Sequence, residues 1–190
     1  MSLQDKPDTL RTTPFREKLR VRFLSNHLRL FKDVEKTLDI GCGWGFSLKI
    51  NPNFYCVDAD VNCVEYLKSI GAKVSLADIS KPLPFPDGSF DNAFTHDVLE
   101  HLEEEEMLSL FRDARRILKA GGVFMNIVPN LKGYLAYTDV GHKRYVTLKE
   151  IKSAANQTGF EVIDHWHTPF PRIFSELFKH NKLVVRLRAI

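Results

Sequence analysis

The residues with chemistry to offer fall into two groups. Asp39, Gly41, Gly43 and Gly45 lie in the run Leu38-Asp39-Ile40-Gly41-Cys42-Gly43-Trp44-Gly45, with Val57-Asp58 downstream. Glycine at every second position after an apolar strand lets the backbone approach a ligand with no side chain in between. An acid ending the next strand is placed to accept hydrogen bonds from both hydroxyls of a ribose. Dinucleotide spacing, G-x-G-x-x-G, would need glycine where Phe46 stands, which opposes a nicotinamide oxidoreductase. The second group is His96, Asp97, Glu100 and His101, with Gly141-His142-Lys143-Arg144-Tyr145 later in the chain. Asp97, Glu100 and His101 at i, i+3 and i+4 are predicted to share one face of a helical turn. Such a set can move a proton or hold a metal ion.

Positioning these groups requires strands that end where the glycines and acids begin. The patterning predicts strands over 37–40, 54–57, 73–76, 91–95, 122–128 and 160–166. Helices are predicted over 15–31, where Phe15, Leu19, Phe23, Leu24, Leu28 and Phe31 share a face, and over 61–70 and 103–118. Another starts at Thr147, whose capping box with Glu150 marks it, and stops at Gly159. Only 46–50 remains for a helix after the glycines, because Asn51-Pro52-Asn53 breaks it within about one turn. The acids at 103–106 are a solvated helix start that favours the dipole. Alternating strands and helices give a doubly wound α/β sheet, mostly parallel. No internal repeat or low-complexity tract is present.

The glycine run with its following acid resembles motifs I and II of the class I methyltransferases that use S-adenosylmethionine. Four further segments resemble that family in its own order: Ala77-Asp78-Ile79, Leu83-Pro84-Phe85-Pro86-Asp87-Gly88-Ser89-Phe90-Asp91, Val98-Leu99-Glu100-His101-Leu102, and Ala114 to Gly122. The resemblance covers roughly 35–165 and is closest to the type 11 branch, with a short first helix. It implies a Rossmann-like sheet of seven strands in one domain. Asp39, Gly41, Gly43, Gly45, Asp58, Asp78, Ile79 and His96 would hold the cofactor, with Asp58 on the ribose and Asp78 near the adenine. It implies methyl transfer to a small-molecule or lipid-linked acceptor, in which His96 or His142 serves as a base. The alternative is a non-catalytic subunit that binds S-adenosylmethionine as a scaffold. Asp97, Glu100, His101 and His142 are also similar to a divalent-metal set in some methyltransferases. Equally, Glu100, His101 and His142 only anchor loop backbone. Tyr134, Tyr137 and Tyr145 form either an aromatic wall over the acceptor or loop packing.

Composition bounds this reading. The 190 residues are 44% hydrophobic and 27% charged, ordinary for a globular chain. Cys42, Cys56 and Cys63 are odd in number and lack metal spacing, so reduced, buried thiols are expected, as in the cytoplasm. Nothing resembles a signal peptide or a spanning helix. The net charge of +3 is uneven: 1–32 carries 8 basic and 3 acidic residues, and 172–190 carries 5 and 1. The stretch between carries 14 and 20, so the core is acidic. Basic ends without aromatic interleaving disfavour a nucleic-acid partner. The chain divides into a basic leading helix (1–32), a core (33–168) and a basic C-terminal segment (169–190). That last segment reads as a helix and a seventh strand, or as a basic amphipathic patch in peripheral contact with an anionic membrane. Sequence leaves the oligomeric state open.

Overall fold

Thr37, Leu38, Asp39 and Ile40 are buried at every position and form β1 (Thr37–Ile40), at the centre of a seven-stranded sheet. The computed structural model describes residues 14–31, 35–130, 143–168 and 182–190. In chain order the elements are α1 (Pro14–Leu28), β1, β2 (Tyr55–Asp58), α2 (Val61–Ser69), β3 (Lys73–Leu76), β4 (Phe90–His96), α3 (Glu104–Ile117), β5 (Leu118–Pro129), α4 (Leu148–Thr158), β6 (Phe160–Thr168) and β7 (Lys182–Ala189). Single 3-10 turns at Phe46–Lys49 and Leu99–His101 follow β1 and β4. The strand order is β3-β2-β1-β4-β5-β7-β6. β1 to β5 pair in parallel, and β7 runs antiparallel between β5 and β6. This is the expected doubly wound, mostly parallel sheet.

One face is covered by α3 and α4. α3 turns Met107, Leu110, Phe111, Ala114 and Ile117 inward, where they pack with Leu38, Ile40, Phe124 and Ile151. Its start is a capping box between Glu103 and Glu106, so the acidic run is a helix start as the sequence indicated. Thr147 and Glu150 form the second box at α4, and Gly159 ends that helix in the left-handed region at φ 80°. The opposite face takes α1, whose Leu24 and Leu28 pack with Phe54, Phe94, Met125, Ile127 and Val184. Phe46, Leu48 and Ile50 join that cluster, so α1 also braces the turn that follows the glycines.

Several predicted bounds differ, three of them for an identifiable local reason. β2 begins one residue late, because Phe54 is a buried plug ahead of the ladder. β5 begins at Leu118 rather than 122: Gly121 takes φ 78° and a register shift between Phe90 and Asn92 carries the strand through the predicted turn. The helical turn predicted for Asp97 to His101 is only the 3-10 turn at Leu99–His101, since Asp97 leaves helical geometry at φ 56°. The apolar run Leu183, Val184, Val185 and Leu187 is buried within the sheet, so that half of the C-terminal segment is not a membrane-facing patch. Residues 169–181 lie outside the described residues. No helix among the described residues is long and apolar enough to cross a membrane.

Candidate active site

The strand order reverses between β1 and β4, and open α/β sheets take ligands at the carboxyl ends of strands at such a point. Beyond Ile40 the chain turns through Gly41, Gly43 and Gly45, all at positive φ (75°, 51° and 70°). The amides of Gly41 (2.8 Å) and Cys42 (3.2 Å) donate to the Val57 carbonyl and tie this turn to β2. A Cβ at Gly41 would lie 2.6 Å from Val98 Cγ2, and one at Gly45 would lie 2.5 Å from Leu67 Cδ2. At Gly43 nothing stands within 4 Å of that position. The outer glycines are therefore required by packing, and the middle one faces open space.

Two acids converge on this turn. The Gly43 amide donates to Asp58 Oδ2 at 2.6 Å, and the Asp60 amide donates to Asp58 Oδ1 at 2.9 Å. Asp39 is buried beneath the turn, where its carboxylate accepts the Ser47 hydroxyl. Burial raises the Asp39 carboxyl to about 7; the Ser47 hydroxyl opposes that rise and the Asp58 charge adds to it. At β3, Asp78 accepts the Ser80 hydroxyl (2.7 Å) and amide (3.0 Å), which hold its carboxyl below the ordinary range. Ile79 is half-buried against the core. Cys42, Cys56 and Cys63 are free and buried. A contact with Cys56 and burial push the Cys42 thiol up, and burial pushes Cys63 up to about 12, so both are unreactive thiols.

The second group gathers at the ends of β4, β5 and β7. His96 closes β4, and its Nε2 lies 3.7 Å from Asp97 Oδ2. Asp97 Oδ1 pairs with Lys182 Nζ, at the first residue of β7. Glu100 is buried, and burial followed by the Asp97 charge raises its carboxyl to about 8, so it is largely protonated at neutral pH. The Glu100 carbonyl accepts the amides of Lys143 (2.9 Å) and Arg144 (3.3 Å), bringing the end of the β5–α4 connection onto this turn. His101 is exposed. Of the three residues predicted to share a face, Asp97 and Glu100 lie together with their side chains interacting, while His101 is exposed where Glu100 is buried. Among the described residues no group of three or more His, Cys, Asp or Glu could hold a metal ion. His142, Tyr134 and Tyr137 lie outside the described residues, and Tyr145 is half-buried.

Residues 38–126 match the family described as methyltransferase domain. The chain is similar to the class I S-adenosylmethionine-dependent methyltransferases over that segment and in its fold. The chain is 28% identical over 163 residues to an uncharacterized protein of Methanocaldococcus jannaschii, covering 70% of this chain and 64% of that one. It is 32% identical over 119 residues to the tRNA (carboxymethyluridine(34)-5-O)-methyltransferase of Schizosaccharomyces pombe, covering 56% and 51%. Among solved structures, a SAM-dependent methyltransferase from Archaeoglobus fulgidus superposes with a TM-score of 0.71 at 19% identity, covering 92% of this chain and 97% of that one, a likeness of fold. The chain thus spans less than two thirds of the length of these curated relatives.

The glycine turn fits the family's cofactor on its own chemistry. Gly43 offers backbone with open space before it, Asp58 offers a carboxylate at the end of β2, and Asp39 offers a second acid to a cationic ligand. Two residues at this end of the sheet escape a sequence reading. Ser47 holds Asp39, and only its place one turn into the segment after the glycines hints at it. Lys182 holds Asp97 from 85 positions away, and no local pattern announces that.

Proposed function

We propose that this chain transfers a methyl group from S-adenosylmethionine to a small-molecule acceptor. The observation that carries this reading is the Gly43 amide on the Asp58 carboxylate, at the same strand ends as His96 and Asp97. When bound, S-adenosylmethionine supplies an electrophilic methyl group on a sulfonium leaving group. Gly41, Gly43 and Gly45 would bring backbone to its methionine part, Asp58 would take the ribose hydroxyls, and Asp78 with the Ile79 amide would take the adenine. His96 accepts the proton of an acceptor O–H or N–H, and the Asp97 carboxylate stabilises the imidazolium that results. The remaining work of the chain is to align the acceptor for in-line attack and keep water out. His142 is a second candidate base.

A lipid-linked acceptor loses one of its supports, because residues 182–189 are a sheet strand. The fission-yeast relative is named for a tRNA substrate; here the acidic stretch between the basic ends disfavours a polyanion. The Lys182 ammonium paired with Asp97 disfavours a divalent ion at that turn. The test is calorimetric titration with S-adenosylhomocysteine on the native chain and on Asp58→Ala. Micromolar binding that Asp58→Ala loses supports the reading, and no binding at millimolar ligand overturns it. A chain that binds the cofactor yet methylates nothing in a broad acceptor panel would instead be the non-catalytic subunit.

A further inference from the structure

Asp97 is the only described residue other than glycine at positive φ, 56°. Aspartate tolerates the left-handed region better than most side chains, yet the conformation still costs on the order of 1 kcal/mol and has to be held. Beside its interaction with the Glu100 side chain, three contacts bear on its geometry. Its amide donates to the Ile127 carbonyl at 3.0 Å, its Oδ2 lies 3.7 Å from His96 Nε2, and its Oδ1 pairs with the Lys182 ammonium. The first two come from the neighbouring strand and the adjacent residue. The third comes from a distant part of the chain.

Lys182 stands where three strands meet. It is in register with Pro129, the last residue of β5, and with Thr168, the last residue of β6. Its side chain is only 18% exposed, so the ammonium has given up much of its hydration. Among the described residues, the charged and titratable groups around it include the Asp97 carboxylate and the buried Glu100 carboxyl. An apolar residue would serve a strand end at lower cost of desolvation. Most exposed ion pairs contribute little, but this one joins a half-buried cation to a residue in a strained turn beside the candidate base.

We propose that Lys182 is a positioning residue. Its ammonium pins the Asp97 carboxylate in the left-handed turn, and Asp97 in turn fixes the orientation of the His96 imidazole toward the acceptor. Lys182 acts through Asp97 and touches no reacting atom. The inference rests on the reading of His96 as the base, but its test does not need an acceptor.

The test is the NMR spectrum of the His96 ring, assigned by its loss in His96→Gln. It is recorded on the full chain without cofactor at one fixed pH of about 8, above the ordinary imidazole range. Lys182→Met is expected to move both ring C–H resonances by more than a linewidth, and Lys182→Arg to restore them. Asp97→Gly removes the carboxylate and relieves the strain, and it should move the same resonances. In the Asp97→Gly background Lys182→Met should then move nothing further. An unchanged His96 ring in Lys182→Met, or a Lys182 effect that persists without Asp97, overturns the proposal. If Lys182→Met does not fold, Lys182→Arg and Asp97→Gly decide it: an arginine variant whose ring signal departs as far as that of Asp97→Gly overturns it. Failure of S-adenosylhomocysteine to bind would sink the function and leave this ring signal readable.

Discussion

Asp58 holds the glycine turn with the same carboxylate that would hold a ribose: Oδ2 accepts the Gly43 amide at 2.6 Å and Oδ1 accepts the Asp60 amide at 2.9 Å. One side chain at the tip of β2 therefore sets both the loop after β1 and the approach to α2, whose N-cap is Asp60. The position of the turn and the direction of the carboxylate are a single structural variable.

Substitution along that turn should separate packing from binding. Gly41→Ala and Gly45→Ala place a methyl against Val98 and Leu67 at a positive φ. Each should lower unfolding free energy by about 2–4 kcal/mol, from left-handed strain plus overpacking. Gly43→Ala meets open space and should cost about 1–2 kcal/mol of backbone strain. Its larger effect should fall on S-adenosylhomocysteine affinity, measured by calorimetry beside urea unfolding of all three variants.

Asp39 predicts a pH dependence of known sign. Its carboxyl is raised by burial to about 7 in the folded chain, so the folded state binds more protons than the unfolded state below that pH. The stability it confers is present below the unfolded carboxylate value and is lost as pH rises from about 4 to 7. Asp39→Asn should flatten the pH–stability curve in that window relative to the native chain. Urea unfolding at a series of pH values reads the difference, and parallel curves would refute the assignment.

His27 predicts the opposite slope. It is buried on α1 between Phe23 and Trp166, with ring centroids at 4.9 and 5.5 Å, and burial lowers its pKa. Its Nε2 has no hydrogen-bond partner, and the Arg186 guanidinium lies 5.6 Å from the Trp166 ring. The unfolded chain takes up the proton first, so stability falls as pH drops below about 6.5 and levels off below the folded value. His27→Phe should remove that loss. The fluorescence of Trp166 in a Trp44→Phe background reports the transition, and a native-like acid response in His27→Phe would count against it.

Arg116 should anchor the segment before β4. It donates to Asp113 (2.6 Å), the Phe85 carbonyl (2.7 Å), Asp87 (2.8 Å) and the Leu83 carbonyl (3.0 Å). Lysine cannot reproduce a fork that serves four acceptors. Arg116→Lys should cost about 1–2 kcal/mol and Arg116→Ala about 2–3 kcal/mol. Amide exchange should quicken at 83–88 while β1 and β4 stay protected.

The parts of this fold written in short-range pattern were legible. β1 and β3 fall at their predicted bounds, because each is bounded by the glycines or acids that end it. The capping box at Thr147 and the stop at Gly159 fixed α4 in the same way. What escaped was long-range or conformational. Asp97 looked helical because spacing carries no sign of φ. Gly121-Gly122 looked like a turn, yet the positive φ of Gly121 makes a bulge, and Gly122 has Asp91 and Lys119 carbonyls 2.7 and 2.9 Å from where a Cβ would stand. Nothing in residues 182–189 announces that they insert between two strands, since strand order is decided by the whole sheet. The glycine turn with Asp58 was readable as a motif; the turn at Asp97 depends on a pair spanning 85 positions.

The placement of β7 bears on how the molecule is made. β6 touches the sheet only through β7, although β6 is synthesised first. A growing chain that has released residue 168 but not residue 182 therefore carries a strand without its one sheet partner, and β5 still has an open edge. The parallel half can pair as it emerges, while this margin has to wait and then close in one event. Trimming a few residues from β7 would accordingly strip two strands, not one.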